Sequence, residues 1–229
     1  MNFLWKVYII VLNWNGWKDT IECLNSIIES DYSNYEIIIC DNASSDNSIL
    51  EIEKWRAKKK VEVILLKNNS NLGFAGGNNV GIRYALGKGD FKYIWILNND
   101  TVVKRNTLSA LVRKMESDNT IGICGSKLMY YDNSDEVQAL GGQYNKLLGI
   151  SKHIIREEDL CKLDYVVGAS MLISKKFIEE IGLMNDCLLY TSPNLSFFHP
   201  SFRPKCPSAK LCLRKRQDQV RGRPARYPG

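Results

Sequence analysis

A chain of 229 residues, 45% apolar and 24% charged, is long enough for one domain whose core needs no disulfide or metal staple. Its apolar runs are short, such as Val7 to Leu12, which excludes a membrane-spanning helix of roughly eighteen residues or more. The net charge of +6 does not indicate a nucleic-acid binder, because residues 191–229 hold nine Lys and Arg against one acid, while residues 1–190 hold 22 basic and 24 acidic groups.

The run after Lys6 ends at Asn13, too early for a signal-peptide core, so cytoplasmic residence is expected, with peripheral membrane contact left open. The seven cysteines (23, 40, 124, 161, 187, 206 and 212) form no CxxC pair, so a zinc site is not expected. Cys23, Cys40 and Cys124 lie in apolar segments and read as buried thiols.

In chain order, Lys6–Leu12 is a continuous apolar run, as in a strand buried on both faces. Asp19 to Ile28 places Ile21, Leu24, Ile27 and Ile28 at helical spacing. Tyr35–Cys40 predicts a second strand, Ser45 to Trp55 a helix, Val61–Leu66 a third strand and Asn78 to Leu86 a third helix. Tyr93–Leu97 predicts a fourth strand, Leu108 to Met115 a helix and Ile121 to Met129 a further strand. Repeated strand–helix–strand units imply an α/β fold, a mostly parallel central sheet with helices on both faces. Ligands of such sheets bind beyond the carboxyl ends of the strands.

Polar residues cluster at those ends: Asn13-Trp14-Asn15-Gly16, Asp41-Asn42-Ala43-Ser44, Asn68 to Asn79, and Asn98 to Thr101. Asp41 ends an apolar strand, where a carboxylate accepts either from a nucleobase imide or ribose hydroxyls, or from the next turn through Asn42 and Ser44. Trp14 suits stacking on a base and equally suits a core. The segment from Asn71 to Gly81 is Gly-rich and opens a helix, so Gly73, Gly76 and Gly77 permit close backbone approach and the helix start offers N–H groups to phosphate. It matches neither the dinucleotide fingerprint nor a P-loop. Asn98-Asn99-Asp100 brings one carboxylate to a strand exit, which with diphosphate oxygens and water suits Mg²⁺ or Mn²⁺.

The segments IIVLNWNGWKDTIECLNSI, IIICDNASSDNS, NLGFAGGNNVGI, WILNNDTVV and VVGASMLISKKFIEEIGL occur in that order between Val7 and Asp186. Together they resemble the family 2 glycosyltransferases of the GT-A fold, and within them the rhamnosyltransferase-like branch. The resemblance implies a nucleotide-diphosphate-sugar donor such as dTDP-rhamnose or a UDP-sugar, a divalent metal, and inversion by direct displacement onto a saccharide or lipid-linked acceptor in cell-surface polysaccharide assembly. By motif position it implies that Asn13, Trp14 and Asp41, with Asn42 and Ser44 beside it, hold base and ribose. Asn71 and a Gly73–Asn78 loop would close over the nucleotide, Asn98 and Asn99 would lie near the ribose, and Asp100 would bind metal and diphosphate.

The family continues into an acidic segment that supplies the catalytic base. Here no acid follows Asp186 until Asp218, so the expected base is missing, Asp186 is the nearest substitute, and little or no transferase activity is expected of the chain as written. All six prolines lie after Thr191, and Arg outnumbers Lys six to three there. Two domains follow: 1–186 a GT-A domain incomplete on its acceptor side, and 187–229 a basic, Pro-rich tail, either disordered or foreign through a frameshift or readthrough. A sugar nucleotidyltransferase would need a basic Gly-rich loop after the first strand, which Asn13 to Trp17 does not provide. A non-catalytic nucleotide-sugar-binding protein, or a basic-tailed nucleic-acid binder, is the remaining alternative.

Overall fold

The computed structural model describes residues 4–133, 135–145 and 147–185, and the backbone of 210–213 and 219–222. The apolar run near the N-terminus forms β1 (Val7–Asn13), wholly buried except at Leu12, and α1 (Trp17–Ile28) packs Cys23, Leu24 and Ile27 beneath it. Then follow β2 (Tyr35–Asp41), α2 (Ser48–Lys59), β3 (Val63–Lys67), α3 (Gly73–Lys88) and β4 (Tyr93–Asn98). A short β5 (Thr101–Val103) leads to α4 (Thr107–Glu116) and β6 (Ile121–Gly125). An insert then holds β7 (Lys127–Tyr130), β8 (Val137–Ala139), the hairpin strands β9 (Gly141–Asn145) and β10 (Ile150–Ile154), and a 3-10 helix (Glu157–Lys162). The chain returns as β11 (Ser170–Ser174) and α5 (Lys175–Ile181).

The main sheet runs β3-β2-β1-β4-β11-β6, with β1 to β4 parallel and β11 antiparallel to both β4 and β6. Two apolar layers flank it: β1 residues Val7, Ile9 and Val11 face Leu24, Ile27 and Leu111, while Tyr8 and Ile10 face Ile82 and Ala85 of α3. This is the GT-A architecture expected, with one strand reversed.

Two elements differ from the sequence expectations. The strand expected over 121–129 breaks at Ser126 into β6 and β7, each of which pairs with different partners. Helix α3 begins at Gly73, not Asn78, so the Gly-rich segment expected as a loop forms the first turns of a helix. Its glycines serve packing: a Cβ on Gly81 would lie 2.9 Å from Ile10 and 3.0 Å from the Cys40 sulfur, and one on Gly77 2.4 Å from Leu12. Only hydrogen at those positions lets α3 settle so closely on β1 and β2.

Residues 186–209, 214–218 and 223–229 lie outside the described residues, and with them the expected domain boundary at 186/187. Within the tail, β12 (Lys210–Leu213) pairs parallel with β6, and β13 (Gln219–Gly222) lies between β5 and β7. The edges they meet present rows of backbone donors and acceptors, which any extended segment can satisfy whatever its side chains.

Cys23, Cys40 and Cys124 are buried as expected, and burial pushes the Cys23 and Cys40 thiols up to about 12. Among the described residues no helix is long and apolar enough to cross a membrane.

Candidate functional site

The parallel register aligns Asn13 with Asp41 and Leu12 with Asn98, so three of the polar clusters meet at one end of the sheet. Most of β1, β2 and β4 is buried, and each turns polar where it leaves the core.

Asp41 is fully buried, and its carboxylate accepts three hydrogen bonds: from Asn13 Nδ2 (2.7 Å), Ser44 Oγ (2.7 Å) and Ser44 N–H (2.9 Å). A carboxylate offers about four acceptor positions, so one remains for a ligand. Ser44 Oγ also accepts from Asn15 N–H at 2.9 Å, which ties the turn after β1 to the turn after β2. Asn15 and Ala43 both take positive φ (51° and 59°), and Asn15 Oδ1 accepts from the N–H groups of Ser45 and Asp46. The site is therefore closed over Asp41 by Ser44.

From Asn13 the network continues toward β4. Thr20 Oγ1 donates to Asn13 Oδ1 at 2.7 Å and accepts from Asn99 Nδ2 at 3.0 Å. Asp41, Asn13, Thr20 and Asn99 thus form one hydrogen-bonded row across β2, β1, α1 and the turn after β4. Asn98 is half-buried; its backbone carbonyl accepts from Thr101 Oγ1 at 2.6 Å and its N–H donates to the Ala169 carbonyl. Asp100 sits half-buried in the same turn.

Asn42 closes the other side. Its Nδ2 donates to Asn71 Oδ1 and to the Gly73 carbonyl, both at 3.0 Å, and its Oδ1 accepts from Asn68 Nδ2 and Leu72 N–H. All four positions of that carboxamide are used inside the chain, so Asn42 fastens the start of α3 to β2. Gly73, at φ 69°, makes the turn into the helix. Asn78 is 1% exposed, donates to the Phe74 carbonyl at 2.8 Å, and leaves Oδ1 without a partner among the described residues. Gly76 and Gly77 are buried beside it. Trp14 is 53% exposed and Asn71 is exposed, placing both on the open side. Asp186, the expected substitute base, lies outside the described residues.

Among the described residues no three His, Cys, Asp or Glu side chains gather as a metal cluster. One carboxylate at a strand exit, flanked by carboxamides, is an all-oxygen donor set that fits Mg²⁺ or Mn²⁺ once a diphosphate and water complete the shell. The strand-end clusters legible in the sequence hold both ends of this row, and Asn15 and Asn68 as well, but nothing in the sequence marks Thr20 as its link. Thr20 lies within the first turn of α1, and its side chain is buried there.

Comparison with known proteins gives one family and many relatives. The family described as Glycosyl transferase family 2 matches residues 8–182. The low-salt glycan biosynthesis hexosyltransferase Agl10 of Haloferax volcanii is 25% identical over 198 residues, 85% of this chain and 61% of that protein. The UDP-Glc:alpha-D-GlcNAc-diphosphoundecaprenol beta-1,3-glucosyltransferase WfgD of Escherichia coli is 30% identical over 148 residues, 62% of this chain and 54% of that protein. A mannosyltransferase of Pyrobaculum calidifontis, solved with GDP-Man and Mn²⁺, superposes with a TM-score of 0.61 at 18% identity, over 81% of this chain and 49% of its own. The chain thus spans between about half and three fifths of the length of these proteins.

Proposed function

The chain belongs to glycosyl transferase family 2, and from that premise we propose that it binds a nucleotide-diphosphate sugar at the strand ends for transfer to a saccharide or lipid-linked acceptor. The observation that carries this is the hydrogen-bonded row from Asp41 through Asn13 and Thr20 to Asn99, which joins a base-and-ribose end to a diphosphate end. Asp41 keeps one acceptor position for a pyrimidine imide or a ribose hydroxyl, and Trp14 offers an exposed ring for stacking. Asp100 would hold Mg²⁺ or Mn²⁺, which when bound offsets charge on the departing diphosphate. The names of the relatives, a UDP-glucose-dependent transferase and a Mn²⁺-containing mannosyltransferase among them, support donor class and metal.

For the sugar we favour rhamnose, on the motif resemblance, with inversion by direct displacement. The acceptor hydroxyl then needs a base after Asn185, where Asp186 is the nearest acid. Assembly of cell-surface polysaccharide on the cytoplasmic side of a membrane is the setting proposed, without any role for nucleic acid. The test is Asp100→Ala. We expect it to abolish the strengthening of nucleotide-diphosphate binding by Mn²⁺, seen by calorimetry, while thermal unfolding stays close to that of the parent. An unchanged dependence on Mn²⁺ would make Asp100 a turn residue only.

A further inference from the structure

Four of the large apolar side chains left exposed among the described residues fall in one hairpin and its exit. Leu147 is 93% exposed, Leu148 65%, Ile150 58% and Ile155 55%. A single exposed leucine is ordinary, whereas a cluster presented together marks an interaction surface. The two leucines lie in the turn between β9 and β10, and the turn is built to hold them out. Asn145 Oδ1 accepts from the N–H groups of both Leu147 and Leu148, at 3.0 and 3.1 Å, and Gly149 N–H donates to the Asn145 carbonyl at 2.8 Å.

The base of the hairpin is anchored. Ile154 is buried, and Gly142 lies so close beneath Tyr165 that a Cβ there would fall 1.9 Å from the ring. From Val137 to Arg156 the sequence has no Asp or Glu, and Lys152, His153 and Arg156 are exposed along it. Asp159, in the field of Lys152 and Arg156, is bonded to Lys162 at 2.9 Å, and Glu157 lies 4.0 Å from Lys127.

The topology sets where this tip stands. The chain leaves β6 at Gly125, opposite Met171, and rejoins the sheet at Ser170, opposite Leu97. The insert therefore grows from the sheet end that carries Asn13, Asp41 and Asn98.

We infer that the β9–β10 hairpin docks on an anionic bilayer surface, with Leu147, Leu148 and Ile150 entering the headgroup boundary and Lys152 and Arg156 lying at headgroup level. Apolar insertion combined with basic residues is what such surfaces select. The charge favours this occupant: no acid lies between Val137 and Arg156, the exposed Asp164 beside the hairpin is bonded to Tyr144 N–H, and Lys152 and Arg156 complement an anionic surface. Docking would present the strand ends to a lipid-linked acceptor, a consequence that rests on the glycosyltransferase reading; the docking itself does not.

The test is co-sedimentation of the 229-residue chain with phosphatidylcholine vesicles, with and without phosphatidylglycerol, at low and raised salt. The comparison variant is L147Q/L148Q, whose sites face solvent and whose fold is checked by thermal unfolding. The tail, at +8 over residues 191–229, is common to both proteins, and its attraction is screened by salt. The parent is expected to bind anionic vesicles and to retain binding in raised salt, with the variant weaker by about tenfold or more. Equal binding by both, binding lost wholly to salt, or no binding by the parent overturns the inference. So does a variant that changes only self-association in sedimentation velocity, which would make the hairpin a contact between copies. UDP titration of both proteins without vesicles separates the two claims: nucleotide binding can fail while docking holds, and the reverse.

Discussion

Asn79→Ala is expected to lower the unfolding free energy by about 2–5 kcal/mol, since it strips two buried backbone groups of their partners at about 1–3 kcal/mol each. Asn79 is fully buried in α3, 105 residues before the groups it serves. Its Nδ2 donates to the Met184 carbonyl at 2.8 Å, and its Oδ1 accepts from Met184 N–H at 3.1 Å. The carboxamide thus imitates a strand partner for the segment after α5. Alanine removes the partner that each Met184 group has among the described residues and opens a void. Asn79→Asp keeps the acceptor but sets a second oxygen against the Met184 carbonyl, so it should rescue little. Urea midpoints at constant slope measure all three proteins. A loss under about 1 kcal/mol for alanine would show that water replaces the side chain without cost.

Asp41→Ala is expected to weaken nucleotide-diphosphate binding by about tenfold to a hundredfold and to cost about 2–4 kcal/mol of stability. Both effects have one source. Without the carboxylate, Ser44 N–H loses its acceptor, and Asn13 Nδ2 keeps only its 3.1 Å contact with Ser44 Oγ. The turns after β1 and β2 then lose the group that joins them, and the ligand loses the remaining acceptor position. Calorimetric titration well below the midpoint of unfolding separates affinity from folded fraction. Unchanged affinity in a folded variant would leave Asp41 as a cap of its own turn.

The central strands β1, β2 and β4 were legible because their burial leaves nearly continuous apolar runs. Tyr35–Cys40 and Tyr93–Leu97, as read from sequence, each gained only the polar residue that ends the strand, Asp41 and Asn98. The clusters at strand ends were legible for the same reason, since each begins where an apolar run stops. The start of helix α3 is masked in the sequence because Gly73, Gly76 and Gly77 carry loop propensity, whereas the helix packs Gly77 against Leu12 and Gly81 against Ile10. The span from Asp132 to Asp164 has no sustained periodicity, so β8, β9 and β10 left no signal. The contact of Ser44 with Asp41 was legible as a turn cap, but the bonding of Asn42 to the start of α3 was not, because it depends on neighbours brought together only by the sheet.

The central claim is that the row of polar side chains at the strand ends is a donor site selective for a pyrimidine nucleotide diphosphate. It is tested most directly by calorimetric titration of the chain with TDP, UDP and ADP in the presence of Mn²⁺. TDP and UDP are expected to bind at least about tenfold more tightly than ADP, a difference of about 1.4 kcal/mol. Equal binding of all three, or binding of none, would contradict it.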